Sequence, residues 1–117
     1  MVCGPLFAHH GNAAYDAKNP VTLKGTVTEF EWANPHVQIF FDVKDSSGKV
    51  QQWIAEGISS VSMARGGWTR SSLKPGDQIT IVGNVSKNGS KTMRLSKVVL
   101  PNGKALTVER GEDYADQ

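Results

Sequence analysis

A small, mainly β barrel is the fold class the sequence predicts, and three observations point to it. Apolar and polar side chains alternate in short runs between Leu23 and Leu100. Turn chemistry separates the runs, and twelve glycines and five prolines crowd a chain of 117 residues. At 38% hydrophobic and 21% charged residues, this length forms one globular domain and leaves no room for a second. Thirteen basic residues against eleven acidic ones give a formal charge of +2, too even to coat phosphate without a local cluster, and the sequence has none. No apolar run reaches the roughly 18 residues that span a bilayer. A single cysteine, Cys3, excludes an internal disulfide framework and any multi-cysteine zinc site.

The first strand is expected from Val21. Leu23, Gly25 and Val27 fall on one face and Thr22, Lys24, Thr26 and Thr28 on the other, the period of a half-buried strand. Gly25 inside that run predicts a bend or bulge of the kind a strand needs to serve two sheets. Glu29 to Trp32 continues the strand, and Asn34-Pro35 interrupts it, because proline lacks a donor and holds its predecessor extended. In Val37 to Lys44, Val37, Ile39, Phe41 and Val43 face inward, while Phe40 is the one large apolar residue of outward parity. Asp45 to Gly48 has hairpin-turn chemistry, and Val50 to Glu56 is the returning strand. Ile58, Val61, Met63 and Ala64, ahead of Gly66-Gly67, predict a short helix within Gly57 to Gly67 with a glycine stop. Lys74 to Asp77 is a tight turn with Pro75 and Gly76 in the positions such turns favour. Gln78 to Val85 follows as a strand with Ile79, Ile81 and Gly83 inward. Asn88-Gly89 turns the chain into Thr92 to Leu100, and Pro101 to Gly103 precedes a sixth strand over Lys104 to Glu109.

Five to six strands, with one short helix between the third and fourth, is the element order of an OB-fold-like Greek-key barrel, which closes on itself and hides its edges. An open sandwich of the same strands is the competing architecture. Residues 1–20 are expected to be a leader remnant and irregular segment, 21–110 the barrel, and 111–117 a frayed tail.

Certain motifs carry a resemblance: Ala8-His9-His10; Lys24 to Thr28 with Glu31-Trp32-x-Asn34-Pro35-His36; Asp42 to Asp45; and Gly67-Trp68-Thr69-Arg70-x-Ser72-Leu73-Lys74-Pro75-Gly76-Asp77. Over roughly His9 to Asn102 the chain resembles a family of small secreted bacterial domains of unknown function. The resemblance implies a signal peptide ending before the paired histidines, a periplasmic or secreted location, and no established activity. The apolar stretch Met1 to Ala8 is expected to be the remnant of that signal.

Two residue groups are candidates for chemistry. His9, His10 and His36 supply three imidazoles, enough for copper, nickel or zinc if the leader folds back onto the barrel. A free α-amine at His9 would add the chelate favoured by Cu(II). Against this, adjacent histidines in a tail bind divalent metals weakly in any protein, and a turn hydrogen bond equally accounts for His36. Trp32, Asn34, His36, Trp68 and Arg70 form the second group: amide and imidazole donors, a guanidinium fork and flat indole walls beside the second and third strands. Trp32, Trp53 and Trp68 also read as core plugs.

The carboxylates Glu29, Glu31, Asp42 and Glu56 have no partner nucleophile, and there is no Ser-His-Asp signature, phosphate loop or reactive thiol, so no enzyme is expected. Phe40 and Trp53 with Lys44, Lys49, Lys87, Lys91, Arg94 and Lys97 would suit a single nucleic-acid strand. The interspersed acids weigh against it. The expected function is a non-catalytic, extracytoplasmic binding module for a small ligand or metal. The alternatives are a nucleic-acid module or a protein-interaction domain with Phe40 at its surface.

Overall fold

The computed structural model describes residues 14–110. It is mainly β, as predicted: β1 (Tyr15–Glu31), β2 (Gln38–Lys44), β3 (Val50–Glu56), the helix α1 (Ser60–Arg65), β4 (Gln78–Ser86), β5 (Thr92–Val99) and β6 (Ala105–Thr107). The strands form one sheet in the order β3-β2-β1-β4-β5-β6. Parallel pairing of β3 with β5, from Ile54↔Thr92 to Glu56↔Arg94, closes five of them into a ring. The open sandwich considered from the sequence is therefore not the arrangement found.

β1 makes the ring possible by changing partners. Its first part pairs with β4 from Tyr15↔Ser86 to Thr26↔Gln78, and its last part with β2 from Thr26↔Asp42 to Glu31↔Gln38. Thr26 belongs to both ladders. Beside it, a Cβ added to Gly25 would lie 2.6 Å from the Asp42 carbonyl oxygen and 2.9 Å from the Phe41 ring. Only a residue without a side chain admits strands this close. The bulge expected at Gly25 lies further on, where the β1–β2 register shifts between Val27 and Glu29. Thr28 sits in that shift, and its hydroxyl donates to the Phe40 carbonyl at 3.1 Å. One extra residue reverses the parity of the strand. Val27 is buried, and so it is Phe30 and Trp32 that pack on the core beyond it, while Glu29 and Glu31 are exposed.

β1 also starts at Tyr15 instead of the predicted Val21, which moves the edge of the folded part into the segment expected to be irregular. Alternation is silent there because side-chain and backbone hydrogen bonds hold the polar stretch. Asn84 donates to the Asp16 carbonyl at 2.9 Å, Lys87 N–H to the Ala14 carbonyl at 3.0 Å, and the Asp16 carboxylate accepts from Lys18 N–H and Asn19.

The inward positions of the strands, Val27, Ile39, Phe41, Ala55, Ile79, Ile81, Met93, Leu95 and Val98, make one core with Val37, Ile58, Met63, Trp68, Leu73 and Leu106. α1 is shorter than the predicted Gly57 to Gly67. The Ser59 hydroxyl caps it by accepting from Ser62 N–H, and Gly66 ends it. Met63 is its buried residue, whereas Val61, expected on the apolar face, is 57% exposed.

The β2–β3 hairpin turns on Asp45, whose carboxylate accepts from the Ser47 hydroxyl at 2.6 Å, from Ser47 and Lys49 N–H, and from Gln51. The Ser47 hydroxyl first, then the Lys49 amide, hold its carboxyl down at about 2, against an ordinary 3.8. A depressed folded value contributes stability above the unfolded value and loses it as pH falls through the folded one. Asp45→Ala is therefore expected to lower the melting temperature at neutral pH. Its difference from the parent should shrink between about pH 4 and pH 2 in a pH series of thermal melts. Gly25→Ala is expected to cost about 1–3 kcal/mol through overpacking, seen as a lower urea midpoint at unchanged slope.

Candidate functional site

The loop between β1 and β2 holds three of the predicted ligand residues, Trp32, Asn34 and His36, and the structure gives the two polar ones a structural partner. The Asn34 side-chain oxygen accepts from Ser60 N–H and from the Ser60 hydroxyl, each at 3.0 Å. His36 Nδ1 donates to the Gly57 carbonyl at 3.1 Å. A carbonyl only accepts, so the proton sits on Nδ1 and Nε2 is the acceptor of the neutral ring. Val37 and the Gly57–Ile58 stretch add two backbone hydrogen bonds: Val37 N–H to Ile58 at 2.8 Å and Gly57 N–H to Val37 at 2.7 Å. These bonds staple the loop, with its cis Asn34-Pro35 bond, to the segment that starts α1.

The predicted indole walls are placed differently. Trp68 is 1% exposed, and its Nε1 donates to the Thr107 carbonyl at 2.8 Å. It is a core residue, as its large apolar area favours, and not the wall of a ligand site. Trp32 is half-buried and meets Phe30 edge-on at 5.9 Å, and Phe30 in turn lies 6.3 Å from Trp68. Arg70 is exposed. Asn34 and His36 thus reach one contact zone, and Trp32 and Trp68 share Phe30. His9 and His10 of the predicted metal set lie outside the described residues, as does Cys3. Among the described residues no three of His, Cys, Asp and Glu gather to hold a metal ion.

A concavity built of other residues lies on the β2–β3 side. It has a volume of about 410 Å³ and is lined by Thr28, Glu29, Phe40, Phe41, Gln52, Trp53, Ile54 and Lys91. Local pairing explains the set. Phe40 stands across the ladder from both Glu29 and Ile54, which joins two apolar residues of outward parity, and Phe41 stands opposite Trp53. The Phe41 and Trp53 rings stack at 6.4 Å, and Lys91 Nζ lies 6.0 Å from the Trp53 ring centre. The Ile54 N–H donates to the Lys91 carbonyl at 3.1 Å, which ties the β4–β5 loop to this edge. Phe40 is half-buried, not the exposed surface marker it was expected to be.

Arg94 is half-buried. Burial pushes its guanidinium below the ordinary value, while Tyr15 and Glu56 oppose that. Burial, and then Glu56, raise the Tyr15 hydroxyl. The Arg110 guanidinium donates to the Leu95 and Glu56 carbonyls at 2.6 and 3.4 Å.

Thr28 and Gln52 were missed as candidates because each is unremarkable in sequence, whereas Lys91, Phe40 and Trp53 belong to the set read there as suited to a nucleic-acid strand. Phe40 and Ile54 carried the usable signal, two large apolar residues at outward parity on strands predicted to pair.

A family model described as a family of unknown function (DUF6152) matches residues 1–95. No curated protein matches the chain.

Asn34→Ala removes both acceptor bonds at the start of α1. It is expected to cost about 1 kcal/mol in thermal unfolding without altering the groove.

Proposed function

The chain belongs to DUF6152, a family of unknown function, and from that premise we propose that it is a non-catalytic binding module of OB-fold type. Its ligand occupies the groove beside Phe40 and Trp53. The observation that carries this reading is the groove itself, where apolar side chains open a concavity instead of closing over it and a lysine ammonium stands near its aromatic floor. The ring order β1-β2-β3-β5-β4 and the helix between β3 and β4 support the OB-type reading. Such barrels present ligands on the second and third strands and on the loop joining the fourth and fifth. Phe40, Gln52, Trp53, Ile54 and Lys91 come from those elements.

The lining favours a ligand with a flat apolar body and an acidic group. Phe40, Ile54 and Trp53 offer area for the body, and Lys91 attracts the acid. Nothing in the groove resembles the continuous basic track that a nucleic-acid strand requires, since Glu29 faces the same space as Lys91. An extracytoplasmic location belongs to this proposal. It is supported by the resemblance around Ala8-His9-His10, and cell fractionation tests it.

1-Anilinonaphthalene-8-sulfonate has the proposed shape and serves as the probe. The folded chain is expected to enhance its fluorescence saturably, with Phe40→Ser and Lys91→Gln each weakening binding about tenfold, the worth of roughly 1.4 kcal/mol. Val61→Ser, on the exposed side of α1, is the control and should bind as the parent does. Equal binding by all four proteins, or none, removes the groove as the site.

A further inference from the structure

The sequence holds two Asn-Gly pairs, Asn88-Gly89 between β4 and β5 and Asn102-Gly103 between β5 and β6. In such a pair the glycine nitrogen can attack the asparagine side-chain carbonyl, because no side chain on the glycine stands in the way. The two turns are closely matched. All four residues are exposed, Gly89 and Gly103 have φ of 85° and 89°, and a Cβ on either glycine would meet nothing within 4 Å beyond its chain neighbours. Each asparagine side-chain oxygen accepts from the N–H two residues on, from Ser90 at 2.9 Å and from Lys104 at 2.8 Å. The ring of atoms that such a bond closes includes both Cγ and the glycine nitrogen. Electrophile and nucleophile are therefore held side by side in both turns.

Two differences separate them. The Ser86 hydroxyl also donates to Asn88 Oδ1, at 2.6 Å, whereas the hydrogen bond found at Asn102 Oδ1 among the described residues is that from Lys104. The Gly89 N–H reaches the Ser86 carbonyl at a long 3.4 Å, while the Leu100 carbonyl holds the Gly103 N–H at 2.9 Å. The first difference acts on the electrophile. As the glycine nitrogen adds to Cγ, negative charge gathers on Oδ1, and two donors aimed at that atom stabilise it better than one. The second acts on the nucleophile, since an N–H in a long hydrogen bond is more easily given up to a base.

We propose that Asn88 is a modification site, converted through a succinimide to aspartate and isoaspartate, with Ser86 and Ser90 as the donors to its oxyanion. The Gly89 N–H gives its proton to solvent base, and the nitrogen bonds to Asn88 Cγ. The Cγ–Nδ2 bond then breaks, and that nitrogen leaves as ammonia with a proton from water. Water opens the imide at either carbonyl, so no oxidant or further reactant is needed. The product adds a carboxylate to the loop that carries Lys91 and, in the isoaspartyl form, one more backbone carbon. The assignment is independent of whether the groove at Phe40 takes a ligand.

Peptide mass mapping of the full chain during incubation in mildly alkaline buffer tests this, with the same chain unfolded in urea as the reference. In the folded protein Asn88 is expected to be converted about threefold or more faster than Asn102, a preference that urea removes. Ser86→Ala should bring Asn88 to the rate of Asn102. Ser86→Thr keeps the hydroxyl and should restore the difference. Equal rates in the folded protein, a faster Asn102, a preference that survives unchanged in urea, or one in Ser86→Ala as large as the parent's or larger would overturn the assignment.

Discussion

The double pairing of Thr26 is the constraint on which the rest depends. A single strand that serves β4 over one half and β2 over the other must coil sharply, and it can do so only where a neighbouring side chain is missing. Gly25 meets that need, with the Asp42 carbonyl and the Phe41 ring occupying the space a Cβ would take. Because β1 coils, β3 can reach β5 on the far side and pair with it in parallel, and the ring closes. The core then needs no second layer of strands. The inward faces of the ring meet one another, and Met63, Trp68 and Leu73 from the segment between β3 and β4 complete the packing.

Most of this was legible in period-two alternation, which placed Ile39, Phe41, Ile79 and Ile81 inward as found. The glycine turns were legible too: Gly48, Gly76, Gly89 and Gly103 all have positive φ. What escaped was whatever depends on partners distant in sequence. The bulge at Thr28 is a property of two strands, not of one, and it decides that Phe30 and Trp32 point to the core. Tyr15 to Pro20 joins the sheet through bonds to Asn84 and Lys87, which no local pattern announces. Trp68 looked like a ligand wall beside Arg70, yet its burial is set by Thr107, thirty-nine residues away.

The candidate site was legible only in fragments. Polar residues that attract attention in a sequence, Asn34 and His36, turned out to be spent on holding loops together. Those facing open space were inconspicuous. An amide next to a proline and an imidazole after it are good at satisfying backbone groups, and two loops meeting at the start of a short helix have several to satisfy. The informative feature is instead a violation of pattern. Phe40 and Ile54 put apolar area on a solvent face.

The parallel β3–β5 contact also has a temporal side. On the ribosome the β1–β2–β3 meander emerges as a unit of local contacts, but its closing partner is far downstream, since Ile54 meets Thr92. Until β4 and β5 have been made, both outer ladders of that meander present unpaired N–H and C=O groups to any other nascent chain. Closure rests on contacts of long sequence separation, the kind whose loop-closure entropy slows folding across proteins. Between the synthesis of β3 and that of β5 the edge of β3 that will meet β5 therefore stands without its partner.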